Sequence, residues 1–221
     1  MPSRLEFLRS LPFFTGLDAS ALEQVDRETV EQSYDRGQVI FLENDACRGL
    51  YVVREGLVRV FKTSPEGREQ VMSIARPGEP FNIVPVFDGG RNPATATALE
   101  KTDVLLIPTG TFQSLIRDCP APAAIIRVLA GQLRRVTTMV EDLSFRTVVS
   151  RLAKLLLDLA VAEGGAATAR QLTQDEMAAR VGSVRDVIGR GLRQLERQGA
   201  IRMARSRIFI VDADKLREMA A

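Results

Sequence analysis

The chain has 221 residues, 45% hydrophobic and 26% charged, a composition that allows one or two globular domains with a real core. The net charge of +2 excludes a polycation, and the absence of histidine removes the commonest general base and any histidine-ligated haem. Cys47 and Cys119 form no CxxC motif and provide no thiolate metal site, so we expect no metal; free thiols are favoured, with one disulfide left open.

No segment has the features of a signal peptide, and no run approaches ~18 uncharged apolar residues. We therefore expect a cytoplasmic protein without a membrane partner.

The first half of the chain changes from a helical to a β-rich pattern. Residues 1–30 are typical of helices, with Asp18 as an N-cap candidate. Between Tyr34 and Ile107, short apolar runs alternate with turn signals and no helix intervenes; the runs are QVIFLE, GLYVVREG, LVRVFKT, EQVMSIA, ATATAL and DVLLIP. This spacing predicts an antiparallel barrel or sandwich, with a hairpin over 61–71 that turns at Pro65 and Gly67.

A long helical pattern follows. Apolar residues recur at alternating spacings of three and four, at Ile126, Leu129, Leu133, Val136, Val140 and Leu143. We call these six residues the seam. The spacing favours a parallel two-stranded coiled coil between two copies of the chain, and the alternative is a helix packed on its own barrel. EDLSF (141–145) then predicts a hinge, and the next helical pattern stops at Gly164 and Gly165.

The last third predicts a winged helix-turn-helix. Thr173 and Glu176 have the spacing of a capping box, Gly182 breaks the helix, Ser183 can cap the next helix, and Gly199 ends that one. Two short strands with a basic turn and a final helix, capped by Asp212 or Asp214, complete the pattern.

The second helix of this motif has a chemistry suited to DNA. Its predicted inward stripe is Val184, Val187, Ile188, Leu192 and Leu195, and its predicted base-contacting positions are Arg185, Asp186, Gly189 and Arg190. An arginine can hold the O6 and N7 atoms of guanine bidentately, and a carboxylate can accept from the N4 amine of cytosine. Asp186 could instead orient one of the arginines, and Gly189 would let the backbone approach DNA.

The surroundings of this helix are basic. From 170 to 207 nine arginines face four acidic residues, whereas the whole chain carries only +2. Predicted phosphate contacts are Thr173, Ser183, Arg193, Arg197, Arg205 and Arg207, and for the arginines a solvated surface is the alternative. A helical hairpin used for protein contact is the alternative for the whole element.

The sequence resembles the family of the cyclic-AMP receptor protein and the fumarate–nitrate regulator, the CRP/FNR family. Matching stretches include FTGLDASALEQV, YDRGQVIFLEND, VVREGLVRVFKTSPEGREQVMSIARPGE, EDLSF and LTQDEMAARVGSVRDVIGRGLRQLERQGAI, and together they cover nearly the whole chain. The resemblance implies an α+β fold: an N-terminal antiparallel β-roll (a cyclic-nucleotide-binding-like jelly roll), a long dimerisation helix and a C-terminal winged helix-turn-helix. The expected domains are a β-roll sensor (1–118), the dimerisation helix and hinge (119–145), and the DNA-binding domain (146–221).

The resemblance also implies an effector site, but key residues differ. The phosphate cassette of the family corresponds to residues 77–98, which we call the cassette. Asn82-Ile83 stands where nucleotide binders have Gly-Glu, and Asn92-Pro93 stands where they have Arg-Ser, with Arg91 one place away. The effector-pocket candidates are Phe81, Asn82, Ile83, Arg91, Asn92, Val136 and Thr137. Without the paired arginine and backbone donors, we expect cyclic AMP not to bind and no cofactor. Another ligand, or no effector at all, stays open.

The sequence therefore predicts a homodimeric, sequence-specific transcriptional regulator that binds double-stranded DNA at a pseudo-palindromic site, with RNA polymerase as a compatible partner. An effector-dependent small-molecule sensor is the alternative. No enzyme is expected, because histidine, a nucleophile motif and a phosphate-cradling glycine loop are missing from the sequence.

Overall fold

The computed structural model describes residues 3–14, 16–118, 122–162, 168–169, 172–204 and 207–220. The chain forms two compact units, residues 1–62 with 72–135 and residues 63–71 with 136–221. Helix α5 (Pro122–Phe145) crosses this division, since its first half packs on the β-roll through Val128 and Leu129. The units thus divide inside the helix and not at the expected boundaries of 118 and 145, so the three-domain division stays a prediction.

The β-roll, which belongs to the N-terminal unit apart from the hairpin residues 63–71, has helices on one side. Its helices are α1 (Arg4–Ser10), α2 (Ala19–Glu28), α3 (Ile83–Asp88) and α4 (Thr109–Asp118). Its strands are β1 (Val30–Tyr34), β2 (Val39–Phe41), β3 (Gly49–Glu55), β4 (Val58–Thr63), β5 (Glu69–Ala75), β6 (Pro80–Phe81), β7 (Thr95–Ala98) and β8 (Thr102–Pro108). They form two sheets with the strand orders β1-β8-β3-β6 and β2-β7-β4-β5.

Strand β3 explains how the layers are held together. Tyr51 and Val53 join an apolar cluster that draws on both sheets, whereas Leu50 and Val52 join a cluster with α1, α2, α3 and α4. Because alternate side chains of a strand point to opposite faces, the unbroken apolar run of β3 is buried on both sides. The unit therefore has three layers, helices on a sheet on a sheet.

Most sequence-based expectations for this unit are confirmed. Asp18 caps α2 by accepting from the backbone N–H of Ala21 at 2.8 Å. The hairpin turns where predicted, with Gly67 at φ 81° and its N–H bonded to the Ser64 carbonyl at 2.9 Å. Strand β1 was missed, because its residues VEQSY have a weak apolar alternation and pair along the sheet with β8. The expectation that no helix lies between Tyr34 and Ile107 was wrong, because the six residues Ile83–Asp88 form the short helix α3, too short for a clear helical period.

The C-terminal unit contains helices and one small sheet. Its elements after α5 are α6 (Val148–Ala162), β9 (Thr168–Ala169), α7 (Gln174–Val181), α8 (Arg185–Arg197), β10 (Ile201–Ala204), β11 (Arg207–Ile210) and α9 (Ala213–Ala220). The sheet has the order β10-β11-β9, and β9 was not predicted. A shared core of Leu152, Leu156, Ile188, Leu195 and Leu216 joins α6, α8 and α9. This is the predicted winged helix-turn-helix.

The predicted hinge lies a few residues too early. Residues 141–145 belong to α5, and the break comes after Phe145. The hydroxyl of Thr147 accepts from the backbone N–H of Ser150 at 3.1 Å and so caps the first turn of α6. Capping by Thr147 thus sets where α6 begins. The predicted stop of α6 at Gly164 and Gly165 lies outside the described residues.

Within the described part of the chain, no helix is both long enough and apolar enough to cross a membrane.

Candidate nucleic-acid interface and effector cassette

The turn between α7 and α8 is built largely as the sequence predicts. Thr173 accepts from the N–H of Glu176 at 3.1 Å, and the Glu176 carboxylate accepts from the N–H of Thr173 at 2.7 Å, which completes the capping box. The Thr173 hydroxyl also lies 3.0 Å from that carboxylate. Gly182 ends α7 in the left-handed region, with φ 73° and its N–H on the Ala178 carbonyl. The predicted phosphate contact of Thr173 would therefore compete with its role in the cap.

The start of α8 differs from the prediction by one residue. Val184, not Ser183, is the N-cap, and no side chain caps the first turn. Ser183 instead continues the α7 turn, because its N–H bonds to the Ala178 carbonyl at 3.0 Å. Val184 is 40% exposed and does not belong to the inward stripe, since its extended conformation places it outside the helical period. The uncapped first turn leaves N–H groups for water or an external acceptor.

The two faces of α8 are sharply different. Ile188, Leu192 and Leu195 are at most 2% exposed, and Val187 is half-buried. The opposite face exposes the side chains of Arg185, Asp186, Arg190, Arg193 and Arg197. We call Arg185, Asp186 and Arg190 the recognition face. The apolar stripe fixes the helix on its core and turns this face outward.

The recognition face has almost no internal ion pairs. The nearest guanidinium nitrogen of Arg185 lies 3.8 Å from the carboxylate of Asp175, and both side chains are about two-thirds exposed or more. Asp186 and Arg190 have no ion-pair partner within the described residues, so Asp186 does not orient either arginine here. An exposed pair at this distance contributes little. The charges are therefore free to meet another molecule.

Gly189 lies against the start of α7. It is buried, and a Cβ built on it would lie 3.3 Å from Oε1 of Gln174 and 3.8 Å from a guanidinium nitrogen of Arg193. Its missing side chain makes room for the end of the Gln174 side chain. Gly191, which the sequence analysis did not single out, is likewise buried, 3.1 Å from Cδ2 of Leu152 by the same construction. Small residues at 189 and 191 let α8 pack closely on α7 and α6.

The wing is joined to α8 by one carboxylate. Glu196 accepts from the backbone N–H of Met203 in β10 at 2.7 Å, a contact that no sequence pattern indicated. Strands β10 and β11 pair antiparallel, with Ala204 opposite Arg207, and the Arg202 guanidinium lies 5.4 Å from the ring centroid of Phe209. Arg207 is exposed, while Arg205 lies outside the described residues. Of the two predicted caps of α9, Asp212 is the one that forms: it accepts from the backbone N–H of Lys215 at 2.9 Å.

The seam is largely uncovered in a single chain. Five of its residues are between 43% and 68% exposed: Ile126, Leu133, Val136, Val140 and Leu143. Leu129 is half-buried against the helix-side cluster of the β-roll, as in the alternative in which α5 packs on its own barrel. A stripe of exposed large apolar residues along one helix is typical of an interface.

Polar side chains of the cassette are hydrogen-bonded to one another and to nearby backbone. Asn82, with φ 61°, donates through its amide to Oδ1 of Asn92 at 2.9 Å. Asn92 is 2% exposed, and its amide donates to the Leu42 carbonyl at 3.3 Å. Arg91 donates to the Asn44 carbonyl at 2.8 Å, and its backbone bridges to Ala46. The side chains that would have to replace the family's phosphate ligands are thus held within the cassette and the 42–46 loop.

The remaining effector candidates are apolar or lie elsewhere. Phe81 packs with Phe41 and Tyr51, with ring centroids 6.0 and 5.3 Å away, and Ile83 is buried in the helix-side cluster. Val136 and Thr137 belong to the other compact unit. A cyclic phosphate is held by an arginine and backbone donors. Arg91, the arginine of the cassette, is exposed, and its guanidinium is engaged with the Asn44 carbonyl.

Among the buried polar atoms of the β-roll that lack a hydrogen-bond partner within the described residues are Oη of Tyr51 and Oδ1 of Asn82. Burial raises the pKa of the Tyr51 phenol to about 12. Cys47 carries a free, half-buried thiol 3.6 Å from the amide nitrogen of Asn82, while Cys119 lies outside the described residues. Buried polar atoms without partners are uncommon and call for a bound water, a ligand or a packing reason.

Comparisons with known proteins agree with this architecture. Residues 31–119 match the cyclic nucleotide-binding domain family, and residues 150–219 match the Crp-like helix-turn-helix domain family. The chain is 31% identical over 221 residues to a CRP-like cAMP-activated global transcriptional regulator of Mycobacterium tuberculosis, covering 97% of this chain and 99% of that protein. It is 30% identical over 214 residues to a cyclic AMP receptor protein of Thermus thermophilus, covering 96% and 98%.

Solved structures show the same fold. A protein of the crp/fnr family from Eubacterium rectale superposes with a TM-score of 0.84 at 23% identity, covering 95% of this chain and 98% of the other. A CRP/FNR-family transcriptional regulator from Thermus thermophilus gives 0.69 at 27% identity, covering 86% and 98%. The expected order of β-roll, long helix and winged helix-turn-helix is thereby confirmed.

Proposed function

Because this chain belongs to the CRP/FNR family of DNA-binding transcriptional regulators, we propose that it acts as a homodimer on a pseudo-palindromic site and reads bases with the recognition face. The observation that carries the proposal is the two-sided character of α8: Ile188 and Leu195 are fully buried, while Arg190 on the opposite side is exposed and without an ion pair among the described residues. A helix of this kind enters the major groove with its N-terminal residues at base edges.

Each side chain of the recognition face has a proposed partner. Arg185 and Arg190 each hold a guanine, with about 1–3 kcal/mol of discrimination per bidentate contact. Asp186 accepts from a cytosine amine; its side chain is one methylene shorter than that of glutamate, so this contact needs a closer approach. Gly189, whose Cβ position faces Gln174, serves packing and not base contact.

The proposed phosphate contacts surround this face. Arg193, Arg197 and Arg207 are exposed, and Arg205 follows in the sequence. The N–H groups of the uncapped first turn of α8, with Ser183 beside it and Thr173 at the start of α7, can donate to phosphate oxygens as well. These contacts would set affinity and salt dependence without reading sequence.

The seam supports the dimer. Pairing two copies along α5 would cover the five exposed apolar residues and present two recognition faces. In regulators of this type the half-sites are then about 34 Å apart, one turn of DNA. Contact with RNA polymerase at such a site, in the cytoplasm, is the setting that we propose for regulation.

We further propose that cyclic AMP is not the effector, in contrast to the relatives named as cAMP-activated. The support is that the Asn82 amide nitrogen, the Arg91 guanidinium and the Asn92 side chain already make hydrogen bonds within the chain. The second candidate function is a sensor of a different, more apolar ligand, and the unpartnered Oη of Tyr51 and Oδ1 of Asn82 favour it.

Fluorescence anisotropy tests these proposals. Purified, ligand-stripped protein is titrated onto a duplex with two inverted TGTGA-type half-sites and onto a scrambled duplex, with and without cyclic AMP and over a range of salt. We expect selective binding that is insensitive to cyclic AMP and weakens steeply with salt. Binding that appears only with cyclic AMP would show that the cassette rearranges to rebuild a phosphate site. Equal binding to both duplexes would remove the base contacts.

A further inference from the structure

A cleft of about 260 Å³ lies between the first half of α5 and the turn that leads into β6. One wall is formed by α5, with Arg127, Val128, Gly131, Gln132 and Arg135; the other wall is Pro12 with residues 78–80. All of these residues belong to the N-terminal compact unit. The cleft is separate from the recognition face and shares no residue with the effector candidates of the cassette. We infer that it binds a small organic anion with a short apolar body.

The charge of the cleft favours an anion. The lining of the cleft contains one carboxylate, that of Glu79, and it is already engaged. It lies 3.3 Å from the Arg135 guanidinium and accepts from the backbone N–H of Arg76 at 3.1 Å. Arg127 is exposed and has no hydrogen-bond or ion-pair partner among the described residues. One guanidinium therefore remains uncompensated in a lining that also contains the amide of Gln132. Donors of these two kinds are suited to a carboxylate or a phosphate group.

Gly131 provides the space. Glycine is the least favourable helix residue after proline, and a Cβ built at 131 meets no atom within 4 Å. No contact within the described residues therefore requires a glycine here, unlike at 191, where a Cβ would lie 3.1 Å from buried Leu152. Its absent side chain opens the helix surface between Arg127 and Arg135, which lie one turn before and one turn after it.

The position on α5 keeps the cleft open in the proposed dimer. Residues 127, 131 and 135 share one face, because residues four apart lie above one another on a helix. At 100° per residue the seam residues 126, 133 and 140 lie on a different side. Pairing along the seam leaves this face to the β-roll.

Size and lining define the ligand class. The cleft, at about 260 Å³, lies below the range of about 300–1,000 Å³ typical of sites that enclose drug-sized ligands, which favours a small ligand. Pro80 and Val128 provide an apolar surface next to the free guanidinium. A ligand with an anionic head and a few carbons attached would contact both the guanidinium and the apolar surface.

Benzoate and its neutral analogue benzamide are suitable probes. The methyl signals of Val128, assigned with a Val128→Leu variant, are followed by NMR as each compound is added to the full-length protein. We expect a saturable shift with benzoate and no saturable shift with benzamide. Arg127→Gln should weaken benzoate binding at least about tenfold, whereas Arg134→Gln, on the same helix but outside the cleft, should leave it unchanged.

A second variant separates filling of the cleft from loss of charge. Gly131→Leu places a side chain in open space and should abolish the benzoate shift while the helical circular dichroism stays unchanged. Absence of saturation with benzoate, equal binding of benzamide, or equal weakening by Arg127→Gln and Arg134→Gln would each overturn the inference. None of these readouts involves DNA, so they stand apart from the test of the proposed function.

Discussion

In α8 the charged side chains lie exposed over an apolar core, whereas in the cassette the polar side chains are hydrogen-bonded to one another and to the 42–46 loop. Arg190 has no ion pair within the described residues, but Arg91 is held on the carbonyl of Asn44. Asn92 is buried and bonded on two sides. An arginine without an internal partner can be used for binding at little cost, while a bonded one must first break its contacts. The same residue types are therefore available to bind another molecule in α8, whereas in the cassette they must first give up hydrogen bonds.

The largest effect should come from the seam, on which the proposed use of two recognition faces depends. Leu133→Glu places a charge in the apolar stripe and should convert the dimer to a monomer, with at least about a hundredfold loss of affinity for a palindromic duplex, since the second half-site no longer adds to binding. Sedimentation equilibrium and anisotropy measure the two effects. Arg134→Glu, one residue away and off the seam, serves as the control. A Leu133→Glu protein that still sediments as a dimer would disprove the seam.

An arginine-to-alanine change in each region tests whether the two regions differ in DNA binding. Arg190→Ala should cost about 1–3 kcal/mol of binding to the selected duplex and relax the preference at one guanine position. Arg91→Ala should leave DNA affinity unchanged. Anisotropy on duplexes substituted at single positions provides both numbers. If Arg190→Ala weakened binding to every duplex equally, Arg190 would be a phosphate contact instead.

A third test concerns the unpartnered phenol in the β-roll. Because Oη of Tyr51 is buried without a partner, Tyr51→Phe should raise the free energy of unfolding by about 1 kcal/mol, as measured by urea denaturation. A loss of stability would show that the hydroxyl is bonded in solution, to water or to a ligand, and would favour the sensor function.

The pH dependence of the same residue has a definite sign. Burial raises the pKa of Tyr51 from 10.0 to about 12, so the phenol ionises first in the unfolded chain. Below pH 10 it has no effect on the pH dependence; between 10 and 12 the unfolded state binds fewer protons, and the free energy of unfolding falls as pH rises. This fall should be smaller in Tyr51→Phe than in the wild type.

The smallest effects should distinguish the two buried glycines of α8. Gly191→Ala brings a Cβ to 3.1 Å from the fully buried Leu152 and should destabilise the protein by about 1 kcal/mol in thermal unfolding. Gly189→Ala meets only the end of the flexible Gln174 side chain, so stability should change by less than about 0.5 kcal/mol, and DNA affinity should be unaffected. A marked loss of DNA affinity in Gly189→Ala would restore the original interpretation of Gly189 as a point of close approach.

The errors of the sequence analysis have physical causes. Ser183 has the chemistry of an N-cap, but the α7 turn takes up its N–H and moves the cap to Val184. Strand β1 has little apolar alternation and exists because β8 supplies its hydrogen bonds. The position of Gly189 against Gln174 on another helix is a contact between elements. Such contacts leave no periodic signal in the sequence.

The sequence by itself determined the order of domains, the family, the helix-turn-helix and the two faces of α8, because these follow from local period, caps and turn residues. Only the tertiary structure decided where the polar groups go: Arg91 to the Asn44 carbonyl, Glu196 to the wing, and Arg127 to an open cleft. The physical reason is that a side chain's partner depends on residues far away in the chain, which folding alone brings within hydrogen-bond distance.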